Sequence, residues 1–306
     1  MSSPYLDTLI SYIDNRHHRS LRGIEEARAV SPARFDETAE MFLTWLVLAR
    51  GEDSIPAAAD AFVQFSMDVN MAQARYEAAG HYANKSFAEV YADHYSQDET
   101  MSDYLWGIYL TNFLWAHHTE ISFFYKDYFL SKLPDSAALV EIAPGHGGWG
   151  VWALNTLAQA QLRGFDVSPT SIEIATSVSR AAGFGERATY TERNALDLNQ
   201  MPAESADGLI CSFLLEHLEN PEALFAVARH LLKPHAIGFI TGALTAAQVD
   251  HIYEYRRESE LVKQCEDHGL RVLATLSAAP KRILPRAQFL PRSMALIVQK
   301  RKTDLF

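Results

Sequence analysis

The chain has 306 residues, of which 48% are apolar and 21% charged, and its formal net charge at pH 7 is -11. A chain of this length buries a full core without staples, and its acidic balance speaks against a polyanionic partner such as nucleic acid. Arg256-Arg257 and Lys300-Arg301-Lys302 are short basic runs that read as solvated faces, Cys211 and Cys265 form no Cys-x-x-Cys pair, and Met1 is followed by neither a secretory leader nor a membrane-length apolar run, so a soluble cytoplasmic protein without a disulfide framework is expected.

The first elements read as helices. Ser31-Pro32 is a helix start, Ser to cap the open N–H groups and Pro for the first turn; Phe35, Met41, Phe42, Trp45 and Leu46 follow near helical spacing, and Gly51 ends the run. A second helix is expected over 56–75, closed by Gly80. Residues 102–129 are strongly aromatic: Trp106, Tyr109, Leu110, Phe113 and Leu114 share one helical face, and the opposite face is apolar too. This helix is therefore expected to be buried on more than one side.

Beyond Leu133-Pro134-Asp135 the period changes. Strands are expected at 138–142, 161–167, 188–191, 208–212, 237–241, 271–276 and 293–299, with helices after the first glycine-rich turn and over 169–182, 221–232 and 248–268. Strands alternating with helices imply an α/β fold: a doubly wound, mostly parallel sheet of about seven strands. The expected division is a helical cover and dimerisation region at 1–133 and a ligand-binding α/β domain at 134–306.

On such a sheet the ligand lies outside the carboxyl ends of the strands. The first strand leads through Glu141 and Ile142 into Ala143-Pro144-Gly145-His146-Gly147-Gly148, whose glycines allow a sharp turn and close approach to a ligand. The second strand ends at Asp166, about 20 residues further on, where a carboxylate can accept from both hydroxyls of a ribose. Asp166 could instead cap the helix beginning at Pro169, a role for which Ser168 is better placed. The spacing suits NAD as well as S-adenosylmethionine (SAM).

Asn194-Ala195-Leu196-Asp197, the run from Asp207 to Pro221 that contains Ser212-Phe213-Leu214-Leu215-Glu216-His217, and Arg229-His230-Leu231-Leu232-Lys233-Pro234 add to this. Over 138–299 the set resembles the class I SAM-dependent methyltransferases, which implies a Rossmann-like domain with SAM as cofactor. By that resemblance Glu141 and the turn of Ala143, Pro144, Gly145 and Gly147 would hold the methionine part. Asp166, with Val167, would bind the ribose, and Asn194, Ala195 and Leu196 would edge the adenine. Ser212 and Phe213 would lie under the cofactor, facing the acceptor. The chain departs from the pattern at Ala143, where the first glycine is usual and which an alanine can occupy at negative φ, at Pro144 after it, and at His235-Ala236.

The acceptor is less legible, because methyl transfer mainly asks the protein to orient two reactants and exclude water. No Asn-Pro-Pro-Tyr or Asp-Pro-Pro-Tyr run follows the fourth strand and no Pro-Cys pair is present, so a small molecule is expected and nucleic acid is not. His17-His18 and His117-His118 are adjacent pairs that share no helix face, and no His-x-x-x-His or carboxylate cluster has metal spacing, so no metal is expected. His217 is the candidate catalytic group, either as general base or orienting the acceptor, with a capping role as the alternative. Tyr95, Trp106, Trp115 and Tyr125 are candidate pocket aromatics, and Arg256 is a candidate clamp for an acceptor carboxylate, unless it forms a surface ion pair.

The whole layout resembles the bacterial methionine S-methyltransferases of dimethylsulfoniopropionate-type pathways, which implies S-methylation of L-methionine to S-methylmethionine. The alternatives are O- or N-methylation of a secondary metabolite with His217 as base, and a non-catalytic SAM-binding regulatory protein. An NAD oxidoreductase is disfavoured by the fourth-strand run. A homodimer is expected, with no membrane partner.

Overall fold

The computed structural model describes residues 4–92, 98–283 and 287–301. Helices come first: α1 (Pro4–Arg28), α2 (Pro32–Arg50), α3 (Ser54–Ala79), the short α4 (Phe87–Val90), α5 (Asp98–Leu114) and α6 (Ala116–Phe124). α2 starts and stops where Pro32 and Gly51 direct, but the Ser31 hydroxyl accepts no cap hydrogen bond, so extended backbone alone sets the entry. α3 ends with Gly80 left-handed at φ 76°. The aromatic segment differs from the expected single helix. It breaks at Trp115 (φ -99°, ψ 123°) and ends in a wide turn over Tyr125–Phe129. Its burial on several sides is as expected, since Leu105, Trp106, Tyr109, Leu110 and Phe113 are all buried.

The α/β half contains β1 (Ala138–Ile142), α7 (Gly148–Thr156), β2 (Gln161–Asp166), α8 (Pro169–Ala181), β3 (Ala188–Glu192) and β4 (Ala206–Cys211). It continues with α9 (Glu222–Leu231), β5 (Leu232–Leu244), α10 (Glu258–Asp267), β6 (Leu270–Ala278) and β7 (Arg292–Lys300). The sheet order is β3-β2-β1-β4-β5-β7-β6, with β7 antiparallel to both neighbours and the remaining pairs parallel. This is the doubly wound sheet the alternation implied, and its order reverses between β1 and β4, which opens a crevice at their carboxyl ends.

One expected helix is mostly absent. Of 248–268 only Glu258–Asp267 is helical. The preceding stretch is irregular because the N–H groups of Ile252 and Tyr253 both donate to the Glu216 carbonyl, at 2.7 and 3.0 Å, and are unavailable to a helix. Tyr255 also bridges to Leu244.

Successive strand residues face opposite ways, and the two cores follow that period. Leu139, Ile210, Phe239 and Ile297 belong to the core that contains α1, α2, α3, α5 and α6 residues. Their neighbours Val140, Leu209, Ile240 and Leu296 join the core under α9 and α10. The amino-terminal helices thus share one apolar core with a sheet face, and α6 packs on β6 and β7. Among the described residues no helix is long and apolar enough to cross a membrane.

Candidate active site

A cavity of about 600 Å³ lies at the carboxyl ends of β1, β2, β4 and β5, roofed by α3 and α5. Each roof helix offers a stripe at helical spacing. That of α5 is Met101, Tyr104, Leu105, Ile108, Thr111 and Asn112; that of α3 includes Phe65, Ser66, Val69, Asn70 and Gln73. The stripe singled out from the sequence, with Trp106 and Tyr109, is the other face of α5. Trp106 is accordingly packed against Tyr109, with the Arg50 guanidinium 5.0 Å above its ring, and does not face the cavity. Tyr125 is also core: its hydroxyl donates to the Trp149 carbonyl at 2.9 Å and its ring lies between Trp149 and Phe239. Trp115 does line the cavity, stacked on Phe65. Arg256 is held by Glu254 at 2.7 Å and by the Gly80 carbonyl at 2.9 Å, an ion pair in place of an acceptor clamp. Tyr95 lies outside the described residues.

The loop after β1 forms one wall. Ala143, Gly145 and Gly147 all have positive φ, at 52°, 53° and 74°. The negative φ expected of Ala143 is not found: alanine holds a left-handed turn here, a conformation that costs a non-glycine residue about 1–2 kcal/mol. At Gly147 a side chain is impossible without movement, because a Cβ would meet Ala175 at 2.8 Å. Pro144 and Gly145 line the cavity. Glu141 instead lies beneath the loop, 1% exposed, its carboxylate accepting the Gly150 N–H at 3.1 Å. Burial pushes its carboxyl up to about 8.

Asp166 is buried against the cavity and accepts the N–H groups of Gly145 at 3.1 Å and Ser168 at 3.0 Å. Burial raises its carboxyl to about 6, and these backbone donors restrain the rise. The helix-cap role belongs to Ser168, whose hydroxyl accepts the Ser171 N–H at 3.2 Å. Beyond Val167 a second groove, of about 490 Å³, runs between Phe87 and Tyr91 on one side and Glu192 and Asn194 on the other. Asn194 therefore edges a groove that Val167 also lines. Its side chain caps the following turn through the Leu196 N–H, while Ala195 is buried and Leu196 sits at the surface.

Three features were missed from sequence. His146, within the glycine-rich loop, accepts the Gly148 N–H at 3.0 Å and meets the Asn112 amide at 3.2 Å, which ties α5 to the loop. Burial lowers it to about 3, so it is neutral. His118 stacks on Phe213 with ring centres 4.8 Å apart. Phe213 itself has φ 52° and is pinned through its N–H to the Thr241 hydroxyl at 2.8 Å, beside Ser212; both line the cavity as expected.

The third feature is a polar corner. His217 lines the cavity with Nδ1 3.2 Å from the Asp250 carbonyl and 3.5 Å from its carboxylate. The Tyr104 hydroxyl is hydrogen-bonded to the same carboxylate. His251 donates from Nδ1 to the Ala246 carbonyl at 2.7 Å and stands at 88° to His217, ring centres 4.9 Å apart. Burial lowers His251 to about 3 and raises Glu216, both of which line the same cavity. Sequence spacing suggested no metal set, yet the fold gathers Glu216, His217 and His251 within 4.8 Å of one another. His251 was hidden because its segment read as helix.

Residues 139–235 match a family model described as a methyltransferase domain. No curated protein sequence matches the chain. Among solved structures, an O-methyltransferase family protein from Burkholderia thailandensis aligns with a TM-score of 0.50 at 17% identity, over 68% of this chain and 60% of the other. A SAM-dependent methyltransferase from Methanosarcina mazei aligns at 0.46 and 16% identity, over 56% and 95%. At these identities the likeness concerns the fold. The matched domain implies a methyltransferase with S-adenosyl-L-methionine as cofactor. The residues present fit that group: a buried carboxylate at Asp166, a cradle at Gly147 that admits no Cβ, and a groove of about 490 Å³ beside Val167. When bound, SAM supplies an electrophilic methyl on a sulfonium.

Proposed function

We propose that the protein transfers the SAM methyl group to an oxygen or nitrogen of a small acceptor seated against the Glu216–His217–His251 corner. The corner is the observation that carries this reading. An O–H or N–H acceptor must lose a proton as it is methylated, which requires a group to manage that proton, whereas a thioether requires none. S-methylation of L-methionine has lost its expected carboxylate clamp, since Arg256 is paired with Glu254. The arginines that do line the cavity, Arg282 and Arg292, are paired with Glu26 and Glu258. The largely apolar cavity and the net charge of -11 support a small molecule over nucleic acid. Two buried free cysteines support a reducing cytoplasm, and exposed Met67 and Met71, one turn apart on α3, support a homodimer that light scattering would test.

The deciding experiment measures S-adenosylhomocysteine formed from SAM over a panel of phenols, enols, hydroxy acids, amines and L-methionine, with the product's methyl position assigned by NMR. An O- or N-methylated product is expected. Methionine-dependent turnover to S-methylmethionine would overturn the reading in favour of sulfur, and cofactor binding without turnover on any acceptor would favour a regulatory SAM-binding protein.

A further inference from the structure

We propose that Glu216, His217 and His251 bind one divalent transition-metal ion, and that this ion activates a hydroxyl acceptor. The inference deepens the reading above and rests on its choice of an O–H acceptor. Glu216 and His217 sit on the short turn Leu215–His217 after β4, and His251 on the segment after β5. The two N–H bonds from Ile252 and Tyr253 to the Glu216 carbonyl fix these stretches against each other. All three side chains are buried, and one ligand atom of each lies within 4.8 Å of the others.

Two further observations mark the cluster as a cation site. A metal-ligating histidine characteristically donates its other ring nitrogen to an oxygen, which fixes ring and tautomer. His251 does so through Nδ1 to the Ala246 carbonyl, and His217 Nδ1 faces the carbonyl and carboxylate of Asp250, itself bonded to Tyr104. Independently, Glu216 Oε2 is buried with no hydrogen-bond partner among the described residues. An orphaned oxygen at that depth costs about 1–3 kcal/mol, and a cation between it and the imidazoles removes the cost. Two imidazoles and one carboxylate select zinc, manganese, iron(II) or cobalt over magnesium or calcium, and three protein ligands leave positions open to the acceptor.

The chemistry balances without another reactant. The acceptor oxygen coordinates the ion, which lowers its pKa, and the proton leaves to solvent. A lone pair of that oxygen attacks the methyl carbon. The S–CH3 bond breaks with its electron pair retained by sulfur, giving the methyl ether, S-adenosylhomocysteine and one released proton.

The test begins with protein treated with a chelator and desalted. Titrating it with Co(II) alone, followed by its visible spectrum, and with Zn(II) by calorimetry should show one site per chain. His251→Ala and Glu216→Gln should each weaken metal binding at least tenfold while binding SAM with unchanged affinity, which shows the variants are folded. Absence of binding for Co(II), Zn(II), Mn(II) and Fe(II) at millimolar concentration would overturn the proposal, as would full turnover by chelated protein, which would leave His217 as the base. Stoichiometric metal binding without turnover of any hydroxyl acceptor would sustain the metal site and sink the O-transfer reading, so the two fail separately.

Discussion

The cavity has two ends built in contrasting ways. The end proposed to hold the cofactor draws on short contiguous stretches, Ala143 to Gly147 and Asp166 to Ser168, tied together by the Gly145 and Ser168 N–H groups that donate to Asp166. The end proposed for the acceptor is assembled from side chains distant in sequence: Gln73 on α3, Tyr104 and Asn112 on α5, and Glu216, His217 and His251 beyond β4 and β5. Backbone recognition of a common cofactor can be written into a local motif. Recognition of a particular acceptor depends on which helices the fold brings overhead, and no single stretch records it.

The strongest way to break this comparison is a variant at one end that disturbs the other. His217→Ala is expected to lower kcat by about 10²–10⁴-fold with the Kd for SAM unchanged; calorimetry with SAM or S-adenosylhomocysteine checks the second half. A matching loss of cofactor affinity would show that the ends are not separable. Asp166→Ala should do the reverse and weaken SAM by roughly a hundredfold, since it removes the proposed charged acceptor for the ribose and the acceptor of the Gly145 and Ser168 N–H groups.

Acid sharpens the contrast. The Asp166 carboxyl stands at about 6 in the cofactor-free protein. As pH falls through that value the carboxylate takes up a proton and loses its acceptor capacity. SAM affinity is therefore expected to be flat above about pH 7 and to decline below about 6, whereas the weaker binding of Asp166→Asn should not change over that range. Isothermal titrations at several pH values distinguish the two.

Glu141 gives a smaller effect, on stability. Its folded-state carboxyl is raised from 4.5 to about 8 by burial, and Oε2 has no hydrogen-bond partner among the described residues. A raised acid favours the folded state most below its unfolded pKa, and that contribution is lost as pH climbs to the folded value. The melting temperature of the wild type should therefore carry a downward component between about pH 4.5 and 8 that Glu141→Gln, which keeps the acceptor for Gly150, removes. The smallest change is Ala143→Gly. It relieves the left-handed alanine, worth about 1–2 kcal/mol, against a glycine entropy cost of about 0.5–1 kcal/mol. A slight rise in melting temperature with unaltered SAM affinity is expected; a drop would mean that the turn is unstrained.

The fold was largely legible because β1, β2, α8 and β3 are marked by local chemistry: apolar runs, the Ser168 cap and Pro169. Two misreadings share a physical cause. Helical periodicity gives two apolar stripes on α5 and does not say which one meets the cavity, so Trp106 drew attention that belonged to Tyr104 and Asn112. Likewise 248–257 has a composition compatible with helix, and the long-range capture of Ile252 and Tyr253 by Glu216 holds it out of one. Glu216 and His251 lie 35 positions apart (251 minus 216), so no spacing rule would pair them.

The shared core also bears on how the chain is made. Tyr125 and Phe129 pack against Phe239, and α6 lies on β6 and β7, the latter inserted between β5 and β6. A ribosome therefore releases the aromatic helices long before the strands that cover them, by on the order of ten to thirty seconds at ordinary synthesis rates. During that interval their apolar faces stand open, and slower translation or a holding chaperone would govern how much of the protein reaches the native state.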